Sequence, residues 1–299
     1  MAFLFLAQQY FIVLNVLGVI LVLLAALCIV IMCLYTSCQH RHVAFCLYNL
    51  IAWFTLTGIY ICVLDRSNRI FLSQLSTVCS VAVLIPFAPW LKECALVVLH
   101  CNCHVSVIVT FVFVVFRRFF STPQRRLCFF GASGAFHVAA SASFGFVAYS
   151  KMLPLKTLHS AVLENNGYSE ATTRCSSFSA FDWPTAVVVV YSILLAVFLL
   201  LMVAVQRETT DKRAIVCALT FLVINVFAFS TVPILVGIIA YSCGNISLLV
   251  IVLRSYEILQ CSQAIGCSLI VLLSIKEYRS NLLGWMPWKR FQRAVGPQT

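Results

Sequence analysis

Residues 10–35 read YFIVLNVLGVILVLLAALCIVIMCLY, without one charged side chain. As an α-helix rising 1.5 Å per residue, this run is about 39 Å long, enough to cross a hydrocarbon layer about 30 Å thick. It is longer than the core of a signal peptide and has no basic segment before it, so it reads as a retained span. Similar runs cover about 44–64, 94–116, 127–149, 184–206, 214–241 and 248–275, which makes seven.

The whole composition agrees. Hydrophobic residues make up 62% and charged residues 10%, whereas a soluble domain carries about 25% charge. The expected fold is an all-α integral membrane bundle of seven transmembrane helices over 1–275, with 276–299 as a short amphipathic helix and tail. An eighth apolar stretch, 71–91, holds Ser73, Gln74, Ser76, Thr77, Pro86 and Pro89. Two prolines three apart oppose a regular helix, so it reads as an extended outer loop. The alternative is an eighth span, with both termini on one side.

Net charge is +11, and the positive-inside rule accounts for it without nucleic acid. With the N-terminus outside, thirteen basic residues fall inside: Arg41, Arg117, Arg118, Arg125, Arg126, Arg207, Lys212, Arg213, Lys276, Arg279, Lys289, Arg290 and Arg293. Six fall outside: Arg66, Arg69, Lys92, Lys151, Lys156 and Arg174. The sequon at Asn245 then lies on the outer side, where glycosylation occurs. The long polar loop over about 150–183, with Glu164, Asn165, Asn166 and Cys175, also faces outward. Most of the fifteen cysteines sit in apolar runs and act as small hydrophobes. Cys79, Cys94, Cys175 and Cys243 lie at outer loops, where disulfides are allowed.

Catalytic patterns are absent: no phosphate loop, no Ser/His/Asp arrangement, no paired acids. No enzyme activity and no cofactor are expected. His100, Cys101, Cys103 and His104 resemble a metal cluster in spacing, but no acidic residue is near them in sequence, and they read as buried polar packing within the bundle rather than a metal site. Arg254 and Glu257 are three apart on the last span and share a face. They suit either an outward-facing ligand pocket or an ion pair that orients the helix. Pro233 in the sixth span frees a carbonyl and kinks the helix. Residues 274–283 form an amphipathic stretch suited to the inner membrane surface.

The run Phe227-Ala228-Phe229-Ser230-Thr231-Val232-Pro233 resembles the Phe-x-x-Cys-Trp-x-Pro signature of rhodopsin-like (class A) G-protein-coupled receptors, with Ser230 and Thr231 in place of Cys and Trp. Glu257 stands eleven before Ser268, as a ligand-contacting glutamate does before the span-seven proline of chemokine receptors, and Cys243 keeps their spacing of fourteen before it. Ser274 to Arg279 resembles the start of their eighth helix. Departures are several. Cys267, Ser268 and Val271 replace Asn-Pro-x-x-Tyr, Phe54 stands near the usual span-two aspartate, and Arg117-Arg118-Phe119 lacks the acid of Asp-Arg-Tyr. Only about nine residues precede the first span, where chemokine receptors carry a longer acidic segment. Such departures, with Phe120 to Arg126 and Lys289 to Thr299, resemble gammaherpesvirus-encoded orphan receptors that signal constitutively and remove MHC class I from the cell surface.

This resemblance implies coupling to a heterotrimeric G protein of the inhibitory class, largely without ligand, at the host plasma membrane. It implies a partner in the MHC class I heavy chain and a role in immune evasion. It assigns Phe227, Thr231 and Pro233 to an activation switch. Arg117, Arg118, Arg125, Arg126, Lys212 and Arg213 then face the G protein. It pairs Cys94 with Cys175 in a disulfide, with Cys79 as a competitor for that role, and such a bridge contributes about 2–4 kcal/mol. A multi-span transporter or channel is the other class the composition allows, although the spans hold few polar groups.

The orientation is testable with an epitope tag after Thr299. Antibody should stain it only in permeabilised cells; staining of intact cells would invert the topology.

Overall fold

A computed structural model describes residues 2–36, 41–64, 67–72, 77–82, 89–116, 119–151, 173–177 and 210–285. Helix α1 is Ala2–Tyr35, and α2 is Arg41–Ile59, widened at its end into a π-turn over Tyr60–Leu64. Helices α3, Pro89–Val115, and α4, Pro123–Lys151, follow. Helix α5, Thr210–Val226, runs through a second π-turn, Phe227–Thr231, into α6, Val232–Ser242. Helix α7 is Ile246–Ser274 and α8 is Lys276–Trp285.

Among the described residues, six stretches are long and apolar enough to cross a membrane: Tyr10–Tyr35, Arg41–Val63, Cys94–Val115, Pro123–Ser150, Ile215–Ser242 and Ser255–Ser274. The chain is a helical, multi-pass membrane protein. These six coincide with expected spans. The remaining one, 184–206, lies outside the described residues, as do Arg117, Arg118, Lys289, Arg290 and Arg293.

The stretch 71–91 is extended in its described part up to Pro89. Strands β1, Ser67–Leu72, and β2, Thr77–Ala82, form an antiparallel hairpin, and β3, Thr173–Ser177, from the long loop adds to β2. A strand whose amides are spent on neighbouring strands cannot also be a spanning helix, so no eighth span forms here. The sheet lies where α2 ends and α7 begins, with β1 against α7.

In hydrocarbon an apolar residue gains little by leaving the lipid, so packing and small residues decide which face turns inward. On α1 the inward stripe is Leu14, Leu21, Ala25, Cys28 and Met32, all buried, while Val19, Leu23 and Leu34 are over half exposed on the lipid side. A Cβ on Gly58 would run into Leu21, so glycine there lets α1 and α2 approach closely. At the other end of the core, Phe113 stacks on Phe120 and Phe130 at centroid distances of 5.8 and 5.6 Å.

The turn between α6 and α7 is a tight helix stop. Gly244 takes φ 67°, the left-handed region that glycine enters without steric cost. Asn245 N–H then reaches back to the carbonyl of Ala240 at 2.8 Å, the outer bond of a Schellman closure. Asn245 Oδ1 accepts the Leu248 amide at 3.1 Å and caps α7.

Helices α2, α3 and α4 are tied by one polar network. Trp53 Nε1 donates to Asn49 Oδ1 at 3.1 Å, and Asn49 Nδ2 stands 3.2 Å from His137 Nε2. His137 Nδ1 lies 2.6 Å from Asn102 Oδ1, whose amide donates to Ser141 Oγ at 2.8 Å. These contacts assign the proton of the neutral ring to Nδ1, because Nε2 must accept from Asn49. The ring also stacks on Trp53 at 5.5 Å.

His137→Phe keeps the stack and removes both ring hydrogen bonds, leaving Asn49 and Asn102 short of partners. The expected loss is about 2–4 kcal/mol, read as a lowered melting temperature in detergent. An unchanged melting temperature would show the network to be idle.

Candidate functional site

The span Ile215–Ser242 is distorted for a reason written in its residues. Pro233 has no N–H, so the carbonyl of Phe229 lacks its usual donor one turn on. Gln260 Nε2 on α7 reaches that carbonyl at 3.5 Å. Just upstream the ladder shifts by one residue, with the Val232 N–H bonding the Phe227 carbonyl five positions back. A π-turn and a proline in succession make this the soft point of the span. Below it, Asn225 Nδ2 donates to the Gln263 carbonyl at 2.9 Å and to Cys267 Sγ at 3.4 Å.

Of the three residues assigned to a switch, Thr231 is fully buried, Pro233 is buried and Phe227 is partly buried. Thr231 Oγ1 and both amide atoms of Gln263 have no hydrogen-bond partner among the described residues. Buried polar atoms in that condition are costly.

Glu257 does not stand in open solvent. It is 3% exposed, and the Tyr10 hydroxyl of α1 donates to its Oε2. The two side chains join the first and last spans across the bundle. Next to Glu257, Tyr256 meets the His100 ring edge-on at 6.0 Å. The side chain of Arg254 lies outside the described residues, so the Arg254–Glu257 pair does too. Tyr10 escaped the sequence reading because one tyrosine at the head of an apolar run looks like an interfacial anchor. Gln260 and Asn225 escaped because neutral amides carry no charge signal.

Elsewhere the residues separate. Arg125 Nη1 bonds the Phe119 carbonyl at 3.3 Å and its guanidinium lies 4.8 Å over the Phe119 ring. Arg126 bonds the carbonyls of Ser121 and Thr122 at 3.0 and 3.4 Å and also meets His42 Nε2. Both arginines therefore shape the α3–α4 turn, whatever else they meet. The side chains of Lys212 and Arg213, on α5, lie outside the described residues.

Ladder register sets Cys79 opposite Cys175, while Cys94 lies in α3. No group of three or more His, Cys, Asp or Glu that could hold a metal occurs among the described residues.

Helix α8 follows a single extended residue, Ile275, with φ −88° and ψ 118°. Tyr278 is buried against α1, where its hydroxyl lies 2.7 Å from Thr36 Oγ1. That burial pushes the Tyr278 pKa above its ordinary value, so it stays a protonated donor. No protein-family model matches the chain, and no curated protein matches it.

Removing the donor from the Tyr10–Glu257 bond by Tyr10→Phe should cost about 1–3 kcal/mol. Glu257→Gln, which keeps an acceptor and removes the buried charge, should cost less. Thermal unfolding of detergent-solubilised protein ranks the two; the reverse order would show that Glu257 has its main partner elsewhere.

Proposed function

We propose that the chain is a seven-helix, class A receptor-like protein of the virus-encoded, chemokine-receptor-like kind. It signals constitutively through a heterotrimeric G protein of the inhibitory class. The observation that carries this reading is the soft point at Phe227–Pro233, set in the penultimate described span and followed by a full span and a short amphipathic helix. A span broken there can swing its α5 end while its α6 end stays packed on α7. The α5 end adjoins the basic residues Arg207, Lys212 and Arg213, where a G protein would dock.

Constitutive activity follows from what is missing. Rhodopsin-like receptors restrain the off state with an acid beside an arginine after span three. Here that place holds Arg117-Arg118-Phe119, and no acid occurs between residues 96 and 163. The Thr231 and Gln263 atoms that lack partners among the described residues act in the same direction, because a rearranged state can gain hydrogen bonds there. A G protein that binds the swung state then shifts the population by its differential affinity. The seventh span over 184–206, the extracellular N-terminus, the cytoplasmic C-terminus and glycosylation at Asn245 belong to this proposal. Recruitment of the MHC class I heavy chain belongs to it as well. The outer sheet is then pinned through Cys175, and ladder register favours Cys79 over Cys94 as its bridge partner.

Cells expressing the chain at verified surface density should show lowered forskolin-stimulated cyclic AMP, restored by blocking inhibitory G proteins. Pro233→Leu, which returns the missing N–H, should reduce this signal about fivefold, equivalent to roughly 1 kcal/mol of bias between states. Cyclic AMP that never departs from the vector control would overturn the receptor reading. Leakage of ions or solute in the same cells would favour a channel or transporter.

A further inference from the structure

At the sheet end of the bundle a small apolar cluster joins Leu14 of α1, Ile61 and Cys62 of the α2 π-turn, Leu96 of α3 and Cys261 of α7. Inside it the Sγ atoms of Cys62 and Cys261 are 3.3 Å apart, although the residues are 199 positions apart in the chain. Three other buried cysteines of the core bond different chemistry: Cys28 meets Met32 Sδ, Cys103 meets Thr57 Oγ1, and Cys267 meets Asn225 Nδ2. A sulfur–sulfur bond is about 2.05 Å, so the pair must close by about 1.3 Å, which small side-chain rotations supply.

Both neighbours of the pair hold it in place. A Cβ on Gly18 of α1 would stand 2.9 Å from Cys62 Cβ and 3.1 Å from its Sγ. Helix α1 therefore covers Cys62 closely and leaves its thiol room on the Cys261 side. Cys261 lies one helical turn beyond Glu257, on the same face of α7. The π-turn over Tyr60–Leu64 carries Cys62 itself. A π-turn shifts every later side chain around the helix axis. It thus bears on the direction in which this one thiol points.

We infer that Cys62 and Cys261 form a disulfide that locks the outer end of α2 to α7. Cys62 lies at the outer end of the span Arg41–Val63, and Cys261, about midway along α7, is held against it. With the N-terminus outside, that end faces the oxidising lumen during synthesis. The inference uses the proposed orientation and nothing else of the functional reading; the C-terminal tag checks that orientation separately.

The chemistry is thiol–disulfide exchange with the disulfide of a lumenal oxidoreductase or of glutathione. The Cys62 thiolate attacks one sulfur of that disulfide, whose other sulfur leaves and is protonated. The Cys261 thiolate then displaces the first sulfur, which also leaves as a thiol. Two protons and two electrons pass from the cysteine pair to the reagent, and one sulfur–sulfur bond is exchanged for another. Both residues are buried in the finished bundle, at 3% and 0% exposure. The exchange therefore precedes closure of the cluster around α7, and the finished bond is shielded from reductants. The lock ties α1, α2 and α7 into one rigid body at the sheet end while the soft point at Phe227–Pro233 remains free.

A site-specific protease sequence inserted between Glu208 and Thr209 tests this in the full chain, with free thiols blocked at lysis. The first fragment then carries eleven cysteines, Cys62 among them, and the second carries Cys217, Cys243, Cys261 and Cys267. After cleavage the fragments should stay joined on a non-reducing gel and separate with dithiothreitol. Cys62→Ser and Cys261→Ser should each release them, and Cys243→Ser should not. Peptide mass spectrometry of the uncut, unsubstituted chain should find the Cys62–Cys261 link directly, which guards against misfolded variants. Cys62→Ser, which prevents the bond from forming, should lower the melting temperature by roughly 5 °C or more. Fragments that part without reductant, or alkylated Cys62 and Cys261 in the mass spectrum, would show a hydrogen-bonded thiol pair and overturn the inference.

Discussion

Hydrocarbon offers a backbone amide no hydrogen bond, and the rest of the structure answers to that fact. It makes every span a helix. It also dictates how polar side chains behave within the spans. Thr57, Thr110, Ser141, Thr220 and Ser262 each return their hydroxyl to the carbonyl four residues back, at 2.7–2.9 Å. A hydroxyl bonded this way costs little in lipid and leaves the helix intact. The same rule governs the broken place. Pro233 withdraws one donor, and the chain supplies Gln260 from the neighbouring helix to meet the stranded carbonyl of Phe229.

Helix α7 gains its position from such contacts. It packs against α1, α2, the α5–α6 rod and α8, and its polar residues face them in turn. Glu257 meets Tyr10, Cys261 meets Cys62, Gln260 and the backbone carbonyl of Gln263 meet the span Ile215–Ser242, and the helix leads at its end into α8. Little of its surface is left to lipid between Tyr256 and Ser268. By contrast, α4 shows most of its surface outside, with Leu127, Val138 and Phe146 at least 70% exposed. Neither pattern is visible from hydropathy, because both helices are apolar on average and long enough to span.

That contrast marks how far the sequence could be read. Span positions were legible, because length and lack of charge are properties of the run itself. The 71–91 stretch was legible through Pro86 and Pro89, although nothing local foretold that β3 would come from a loop about ninety residues later. Pro233 announced a break in the helix ladder, and the π-turn at Phe227–Thr231 adjoins it. Glu257 was conspicuous by its charge. Its partner Tyr10 was not, nor was the Asn49–His137–Asn102 network, since a hydrogen bond between distant neutral groups leaves no periodicity in either. Cysteines were the hardest. Most of the fifteen lie in apolar runs and read alike as small hydrophobes, and only the packing around Gly18 and the π-turn distinguishes Cys62 from Cys28.

The two π-turns repay comparison. Each lies in a span that α7 packs against, and each adds one residue to a turn. At Tyr60–Leu64 the turn ends a helix, brings a side chain into a closed cluster of Leu14, Leu96 and Cys261, and is held on three sides. At Phe227–Thr231 it sits inside a span, adjoins a proline, and leaves Thr231 Oγ1 unbonded among the described residues. A distortion surrounded by satisfied contacts is rigid. One beside unsatisfied groups has a second arrangement of comparable energy within reach. Motion in this bundle should therefore concentrate at Phe227–Pro233 in the span Ile215–Ser242, and the sheet end should serve as the fixed frame against which it moves.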